Sequence, residues 1–565
     1  MSQLNPNLPK SFLIFRNYSF SYFTQDVIAG LTVGLVALPL AMAFGIASGV
    51  TPQAGLYTAV VAGFLISAFG GSRTQIGGPT GAFVVIVAGI VARFGMDGLA
   101  MVTLMAGAIL VAMGLTGLGA AVKFIPRMVV VGFTNGIAIL IASTQIKDFF
   151  GLHTGPVPSE FLPRIKLLIA HAATLNFSAL GLGLATLAII LILPRFTRRV
   201  PASIIALLVC TGVAVVFKLP VETIGTKFGG IPTGFPHFAL PTLHGDHILP
   251  LLPSAFTVAM LAALESMLSA VVADGMTGDR HNSNVELVAQ GIANICSPLF
   301  GGIPATGAIA RTATNIRAGA RSPIAGIVHA FTLLAILLVA APMASYIPLA
   351  TLAAVLFVVA YNMGEWHEIG GILRLDATAI SVWLVTFALT VFADLTVAVA
   401  VGLGLAALLY IRRIAETTTV VPVDDAYIRD GLPHNLQGQI IPSYVSLLRI
   451  HGPFLFGTTE KLFEATSNLD EFKPVVILRL RNMTAIDATG IHAVESFAKR
   501  LRASGRTLLL CGAMQQPSKL LRQTRFLDHL GRENIMPNIQ AALDRARELH
   551  EFTPTTYPNH MDLSS

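Results

Sequence analysis

Charged side chains are scarce in this sequence. Asp, Glu, Lys and Arg make up 12% of its 565 residues, whereas hydrophobic residues make up 54%. Soluble domains average about 25% charged residues, so this composition excludes a soluble globular protein as the default interpretation. An integral membrane protein is therefore predicted.

Residues that would indicate an enzyme or a metal site are also few. The three cysteines, Cys210, Cys296 and Cys511, lie far apart, without metal-ligand spacing or an obvious disulfide partner. No Ser/His/Asp or Cys/His set is spaced for catalysis, and no pattern indicates nucleic-acid binding. We therefore predict no enzymatic activity, no cofactor, no structural metal and no nucleic-acid partner. The N-terminus has no signal peptide with a cleavage site, so the first apolar segment is expected to remain as an anchor.

Long apolar runs are what the chain has most of. A window of about 20 residues finds about fourteen of them, half before a polar stretch at 218–250 and half after it. The runs are 27–49, 52–69, 79–94, 98–121, 125–146, 177–194, 202–217, 254–274, 284–300, 305–317, 323–343, 347–362, 378–394 and 395–411. They predict an α-helical polytopic protein embedded in membrane lipid.

Two Gly/Pro interruptions echo each other within this apolar sequence. Phe-Gly-Gly at 69–71 precedes Pro-Thr-Gly-Ala-Phe at 79–83, and Phe-Gly-Gly at 300–302 precedes Pro-Ala-Thr-Gly-Ala-Ile at 304–309. They open the third and tenth spans, and an offset of seven spans is odd, so the two halves must have opposite orientations. Two inverted seven-span repeats are therefore predicted, with a binding site where the helices restart, because backbone leaves a helix inside lipid only where it lines a cavity.

Basic residues between the spans set the predicted orientation. With the N-terminus inside, Arg127, Arg317 and Arg412 lie on the cytoplasmic side, whereas the reverse orientation would export nearly all such groups. Lys147 and Lys227 fall outside in this scheme, but in long loops that carry less weight. We expect a multi-pass protein of a bacterial cytoplasmic (inner) membrane with its N-terminus in the cytoplasm.

The pattern changes after the last span. Strand-like runs at 444–450, 474–480 and 507–511 alternate with amphipathic helical runs that begin near Thr458, Gly490, Pro517 and Asn538. This alternation predicts one compact cytoplasmic α/β domain. The predicted division is an N-terminal segment at 1–25, a transport domain at 26–415, a linker at 416–436, an α/β domain at 437–552 and a tail at 553–565.

Several motifs together resemble a known family. They are Gly-Leu-Tyr at 55–57, Gly-Gly-Pro-Thr-Gly at 77–81, Val-Val-Ala-Asp-Gly-Met-Thr-Gly at 271–278, His-Asn-Ser-Asn at 281–284 and the stretch 301–311. The chain resembles the sulfate permease (SulP) family of anion transporters, and its tail, with 452–454 and 487–490, is similar to the STAS domain of that family. The resemblance implies a core domain that moves against a gate domain, and a homodimer. Residues 362–414 are most similar to bacterial C4-dicarboxylate carriers, and 274–291 are equally similar to bicarbonate carriers.

The restarts supply the candidate substrate-binding residues. Two helix N-termini face to face would each offer free N–H groups and about half a positive charge, which suits a small inorganic or carboxylate anion. The alternative is that the glycines only allow close helix packing. The candidates are Thr80, Gly81 and Ala82 at one restart and Gly307, Ala308 and Ile309 at the other.

Arg311 is a further candidate for anion binding. It lies four residues beyond Gly307, which predicts a position one helical turn deeper on the same face. A guanidinium there can pair bidentately with sulfate or a carboxylate. The alternatives are a structural salt bridge or a side chain that snorkels to a helix end.

Glu265 is the candidate cation-coupling residue. It lies in the apolar run 256–273, where a carboxylate at the bilayer centre costs about 2.5 kcal/mol or more. Burial favours its protonated form, so it could carry a proton. With Ser269 and the backbone near Gly307 it could instead bind Na⁺, as matching positions do in sodium-coupled relatives. We favour the proton because Ile309 offers no side-chain oxygen. A permanent ion pair with Arg311 is the remaining alternative.

The turn at 487–490 is a candidate regulatory site. In the STAS-like tail, Thr489 stands at the hydroxyl position of a phosphorylatable turn, and a phosphate there would meet a helix N-terminus. The alternative is that Asp487 or Thr489 is only the helix N-cap. A soluble partner could dock on this domain.

The leading hypothesis is a secondary active transporter that carries a small anion together with a proton. Sulfate, bicarbonate and C4-dicarboxylates all remain open, as do uptake and exchange, because the restart motifs are mostly backbone. A Na⁺-coupled symporter and a passive anion channel are alternatives within transport, and Glu265 disfavours the channel. An anion-sensing scaffold that acts through its STAS domain is an alternative of another class.

Overall fold

The computed structural model divides the chain into two compact units, Met1–Leu405 and Ala406–Ser565. It describes residues 8–14, 18–119, 126–155, 157–197, 201–231, 234–241, 248–393, 395–423, 440–524 and 530–551. Most of the predicted linker at 416–436 and the whole predicted tail at 553–565 lie outside these ranges.

The described part of the first unit is helical. Its helices, with the helix that continues into the second unit, are α1 Lys10–Ile14, α2 Phe20–Ala47, α3 Pro52–Phe69, α4 Gly81–Leu115, α5 Arg127–Phe150, α6 Phe161–Ala170, α7 Phe177–Ile192, α8 Ala202–Val216, α9 Ile224–Phe228, α10 Ile248–Thr277, α11 Ser283–Leu299, α12 Ile309–Arg317, α13 Ile324–Ala344, α14 Leu349–Met363, α15 Trp366–Ile372, α16 Ala377–Phe392 and α17 Leu395–Thr417. Short 3-10 turns lie at Ala172–Thr174 and Leu193–Arg195. Two short strands, β1 Gly77–Gly78 and β2 Thr306–Gly307, complete the unit.

The helices match the predicted spans. Within the described residues, eight helices are both long and apolar enough to cross a membrane, and α8 and α16 are shorter apolar helices. α4 carries the third and fourth predicted spans, because Gly95 (φ 70°, ψ −171°) interrupts its 35 residues. Each of the other twelve predicted spans coincides with one helix. The polytopic helical prediction is therefore confirmed.

The membrane helices form two bundles, and each bundle contains equivalent spans from both halves of the chain. α2, α3 and α4 from the first half pack with α10, α11, α12 and α13 from the second. α5, α7 and α8 pack with α14, and α16 packs on α5. Each bundle thus combines equivalent spans of both repeats, as a core and a gate domain require.

The second unit contains a mixed five-stranded sheet. Its strands are β3 Thr419–Pro422, β4 Val445–Phe454, β5 Val475–Ile486, β6 Thr507–Cys511 and β7 Ile535–Met536, in that spatial order, with only β3 antiparallel to its neighbour. Its helices are α18 Glu460–Ala465, α19 Ala488–Ala503, α20 Gln515–Gln523 and α21 Ile539–Glu551, with 3-10 turns at Leu469–Glu471 and Arg532–Asn534.

Both faces of this sheet are covered. In β5, Val476 and Leu478 join the cluster that contains α19, whereas Val475 and Ile477 join the cluster that contains α21. A strand buried on both faces reads as a continuous apolar run, which is the signal that the run at 507–511, now β6, carries in the sequence. Cys511, at the end of β6, is 1% exposed, and its burial raises the pKa of its thiol to about 12. It is therefore an inert core residue.

Candidate anion site

The two interrupted segments meet at the centre of the core bundle. β1 and β2 pair antiparallel, with Gly77 opposite Gly307 and Gly78 opposite Thr306. Immediately after these strands, α4 begins at Gly81 and α12 begins at Ile309. The N-cap residues Thr80 and Ala308 make no side-chain capping bond. The N–H groups of the first two residues of each helix, 81–82 and 309–310, have no backbone partner in the described structure and stay available to a ligand, whereas the Ala308 N–H donates to the Ile76 carbonyl at 2.8 Å.

Close packing explains the glycines of this strand pair. Gly78 has φ of +143°, and a Cβ on it would lie 2.8 Å from Nη1 of Arg311. A Cβ on Gly307 would lie 1.7 Å from Nε2 of Gln75. Glycine therefore lets β1 lie against a guanidinium and β2 lie against an amide. Close packing is therefore one role of these glycines, and ligand binding at Gly307 stays a prediction.

One face of α10 makes hydrogen bonds, at successive turns, to residues in and next to the two restarts. The Thr306 hydroxyl donates to the Ala262 carbonyl at 2.8 Å, and Gln75 Nε2 donates to the Ser266 hydroxyl at 3.0 Å. Further along, the Ser269 and Thr312 hydroxyls are hydrogen-bonded at 3.0 Å. The positions of the two restarts are therefore fixed relative to α10 by side chains with helical spacing.

Arg311 joins the two restarts directly. The residue is 3% exposed, and Nη2 of its guanidinium donates a short hydrogen bond to the carbonyl of Pro79, just before the α4 restart. Nη1 has no hydrogen-bond partner among the described residues. The predicted position differs in one detail: the helix begins at Ile309, so Arg311 lies in its first turn rather than one turn deeper than Gly307. Neither a salt bridge nor snorkelling describes this side chain in the described structure.

Glu265 borders the same site. It is 9% exposed, and its carboxylate lies near the Thr80 hydroxyl and the Arg311 guanidinium. Within the described residues it makes no ion pair, and the buried Thr80 hydroxyl is left without a hydrogen bond of regular geometry. The permanent Glu265–Arg311 pair is therefore not the arrangement seen. A carboxylate held close to, but not bonded to, an arginine can respond to an anion that binds between them.

Ser269, the second candidate cation ligand, is already engaged. It is fully buried and bonded to the Thr312 hydroxyl, which also accepts the Ile76 N–H at 3.0 Å. Its oxygen would have to share or leave this network to bind Na⁺. No group of three or more His, Cys, Asp or Glu side chains in the described part of the chain could hold a metal ion.

Comparison with known proteins agrees with this architecture. Residues 23–386 match the profile of the sulfate permease family, and residues 438–542 match the STAS domain. The chain belongs to the sulfate permease family. It is therefore an anion transporter, and the members of this family are not enzymes.

Two relatives cover almost the whole chain. YvdB of Bacillus subtilis (strain 168), whose name proposes sulfate as its substrate, is 44% identical over 92% of this chain and 97% of its own length. The bicarbonate transporter BicA of Synechocystis sp. (PCC 6803) is 32% identical over 93% of this chain and 95% of its own length.

Solved structures establish the sulfate permease fold. SLC26A9 superposes with a TM-score of 0.85 at 17% identity, covering 96% of this chain and 93% of that chain. The transmembrane domain of a cyanobacterial BicA superposes with a TM-score of 0.60 at 34% identity, covering 69% of this chain and 98% of that chain. The predicted fold of fourteen spans in two inverted seven-span repeats, followed by a STAS domain, is therefore confirmed.

Polar residues that sequence reasoning missed support the chain on the N-terminal side of the two restarts. Glu286 is fully buried, and its carboxylate accepts from the Gly71 N–H at 2.8 Å and from Gln290 Nε2 at 2.9 Å. Asn294 bonds to both backbone groups of Ala305: Nδ2 donates to its carbonyl at 2.8 Å, and Oδ1 accepts its N–H at 2.9 Å. Glu286, Gln290 and Asn294 recur every four residues along α11, and that polar stripe in an apolar segment was the signal that could have found them.

The candidate regulatory turn has a simple local geometry. Asp487 is the N-cap of α19: Oδ1 accepts the Gly490 N–H at 2.8 Å, and Oδ2 accepts the Phe456 N–H at 2.9 Å. Thr489 lies in the first turn of the helix and is exposed. Asp487 therefore performs the capping, and the Thr489 hydroxyl faces solvent at a helix N-terminus.

Gly307→Ala is expected to remove most transport and to lower thermal stability. The added methyl overlaps Gln75 Nε2 and comes within 3.2 Å of the Ser266 backbone, so β2 must move, and such overpacking costs about 1 to 3 kcal/mol. Gly89→Ala in α4 is the matched control, because a Cβ there meets nothing within 4 Å. Anion uptake and the unfolding midpoint of the purified proteins measure both effects. Equal behaviour of the two variants would contradict the close packing.

Proposed function

We propose that the chain is a secondary active symporter that carries a small oxyanion, sulfate or bicarbonate, across the bacterial cytoplasmic membrane together with a proton. The observation that carries this proposal is the pair of uncapped helix N-termini, held together by β1 and β2, beside a buried arginine that has one unpaired nitrogen. Such a site offers backbone donors and positive charge to an anion, and the one carboxylate that borders it among the described residues is that of Glu265.

The proposed substrate-binding residues are those of the two restarts and Arg311. Thr80, Gly81 and Ala82 would meet one side of the anion, and Gly307, Ala308 and Ile309 the other. The 44% identity to a protein named for sulfate and the 32% identity to a bicarbonate transporter support these two anions. C4-dicarboxylates remain the third anion to test, since a carboxylate presents the same charged oxygens.

Glu265 is the proposed coupling residue. It lies at the edge of the anion site, close to the Thr80 hydroxyl and the Arg311 guanidinium but in no ion pair among the described residues, so its charge can change during the cycle. We favour a proton over Na⁺ because the Ser269 oxygen is held by Thr312 and Ile309 supplies no oxygen. The Na⁺ alternative uses Glu265, Ser269 and the backbone of Gly307.

The transport step is proposed to be alternating access. The core bundle, which holds the whole site, would move against the gate bundle and expose the anion to either side. The proposed arrangement places the N-terminus and the STAS domain in the cytoplasm and pairs two copies as a homodimer. The membrane domain is proposed to extend over 26–415 and the STAS domain over 437–552.

Uptake into proteoliposomes tests this function. Labelled sulfate, bicarbonate and succinate are offered separately under an imposed proton gradient, an imposed sodium gradient or no gradient. We expect accumulation of one of these anions that requires the proton gradient. Accumulation driven only by sodium would move the assignment to the Na⁺ site, and flux that never exceeds equilibrium would indicate a channel. A chain truncated after Pro422 that keeps some flux would exclude a pure scaffold.

Thr489→Asp is expected to change the transport rate or partner binding, whereas Thr489→Ala is expected to leave basal flux intact. The reason is that Thr489 is exposed at the N-terminus of α19, where added negative charge interacts with free N–H groups. Uptake by the full-length variants measures the effect. Identical behaviour of the two variants would leave the turn with the capping role of Asp487 alone.

A further inference from the structure

A buried polar cluster lies behind the strand pair, on the side of α3 and α13. His329 of α13 is fully buried, and neither ring nitrogen has a hydrogen-bond partner among the described residues. The Gly326 carbonyl, one turn earlier, lies near the ring but not in hydrogen-bonding geometry. An unpaired buried polar group costs about 1 to 3 kcal/mol, so two of them on one side chain require an explanation.

The packing of α3 against α13 sets the position of this ring. A methyl group on Gly63 would lie 3.2 Å from the Gly77 carbonyl of β1 and 3.6 Å from Cε1 of His329. The ring therefore lies one methyl width from the back of the strand pair. One turn away on each helix, the Ser67 hydroxyl packs against Gly326 and also lacks a partner in the described structure.

Arg311 faces the same cluster. Its unpaired Nη1 lies against Gly78, the residue next to Gly77, and the Gly77 carbonyl and the His329 ring both face Gly63 of α3. An N–H donor, an imidazole that can both donate and accept, and a hydroxyl are thus left unsatisfied around one end of β1. Polar groups of this kind are the partners that a buried water needs, and apolar cavities do not supply them.

We propose that ordered water binds behind the strand pair and bridges Nη1 of Arg311 to the His329 ring, which makes His329 a positioning residue for the guanidinium. The bridge satisfies the free end of a side chain whose other end is fixed to the Pro79 carbonyl. His329 then determines anion affinity without touching the anion. This inference rests on the proposed anion-binding role of Arg311.

A double-mutant cycle tests the bridge. We expect His329→Leu to raise the apparent KM for the anion about fivefold with little change in maximal rate, because a lost hydrogen bond is worth about 1 kcal/mol. His329→Gln, whose amide can still donate and accept, is expected to stay within about twofold of wild type. In an Arg311→Lys background, which already lacks the planar fork, His329→Leu is expected to add less than about twofold.

Thr332→Val on the same helix is the matched control. The Thr332 hydroxyl donates to the Val328 carbonyl at 2.7 Å within α13, so its loss should leave KM unchanged. If His329→Leu does not give folded protein, His329→Met replaces it in the cycle. A full, independent effect in the Arg311→Lys background, or a Gln variant as defective as Leu, would overturn the inference while leaving the anion site intact. An unchanged KM in folded Arg311→Ala protein would overturn both the inference and the anion role of Arg311.

Discussion

Arg311→Ala is expected to raise the apparent KM for the anion about 10- to 150-fold. A charge-assisted bidentate pair is worth about 1.5 to 3 kcal/mol, and each 1.4 kcal/mol is a factor of ten in affinity. The alanine variant loses the positive charge and also the hydrogen bond to the Pro79 carbonyl that joins the two restarts. Initial rates of labelled-anion uptake over a range of concentrations measure the effect.

Two further variants separate charge from structure. Arg311→Lys keeps the charge but cannot bind two oxygens in one plane, so its KM should fall between those of wild type and Arg311→Ala. Arg317→Ala removes an exposed arginine at the other end of the same short helix and should leave KM unchanged. If folded Arg311→Ala protein binds the anion as wild type does, the guanidinium serves only to join the restarts.

The span pattern and the restarts could be predicted because each rests on a local signal. Apolar length identifies a membrane helix, and Gly with Pro at matching places of the two halves identifies where a helix stops and restarts. The α/β domain was recognisable for a similar reason, since the run at 507–511, which forms β6, is apolar on both faces. The inverted repeat then followed from the offset of seven spans, an odd number, from the first motif to the second.

The contacts of the site could not be predicted, because they depend on which helices become neighbours. The sequence around Arg311 does not indicate that this side chain reaches the carbonyl of Pro79. It also does not indicate that position 78 must be glycine because a Cβ there would collide with the guanidinium. His329 also stands alone in an apolar helix, and a lone histidine does not indicate a site. Its significance arises only from the unpaired atoms that the fold places around it.

Glu286 shows how the same residue type can have two roles at similar depth. Its carboxylate is fixed by two backbone N–H groups, Gln290 and Ser266, so it is a structural acceptor that holds the loop after α3. Glu265 has no such bonds in the described structure, although both lie in apolar helices. Sequence singled out the less constrained of the two carboxylates, and the coupling role stays a prediction that rests on this lack of constraint.

Glu265→Gln is expected to abolish gradient-driven accumulation of the anion while leaving anion binding and anion exchange detectable. The amide keeps the shape and much of the hydrogen bonding of the side chain but can neither carry a proton nor offer a charge to Na⁺. Coupling should therefore fail before binding does. Accumulation against a gradient and exchange of internal for external labelled anion are measured in the same proteoliposomes.

Glu222→Gln is the matched control, because Glu222 is exposed and lies outside the core bundle. It should accumulate the anion as wild type does. Glu286→Gln should instead lower the unfolding temperature, because an amide has one acceptor oxygen where the carboxylate uses two. Oε2 accepts from the Gly71 and Ser72 N–H groups, and Oε1 accepts from Gln290 Nε2 and the Ser266 hydroxyl. Full accumulation by Glu265→Gln would remove Glu265 from the coupling mechanism and return it to a structural role beside Arg311.

The response of wild type to each cation decides which one is coupled. Accumulation that responds to pH but not to sodium would keep the proton assignment, and the opposite response would place Na⁺ with Glu265, Ser269 and the Gly307 backbone.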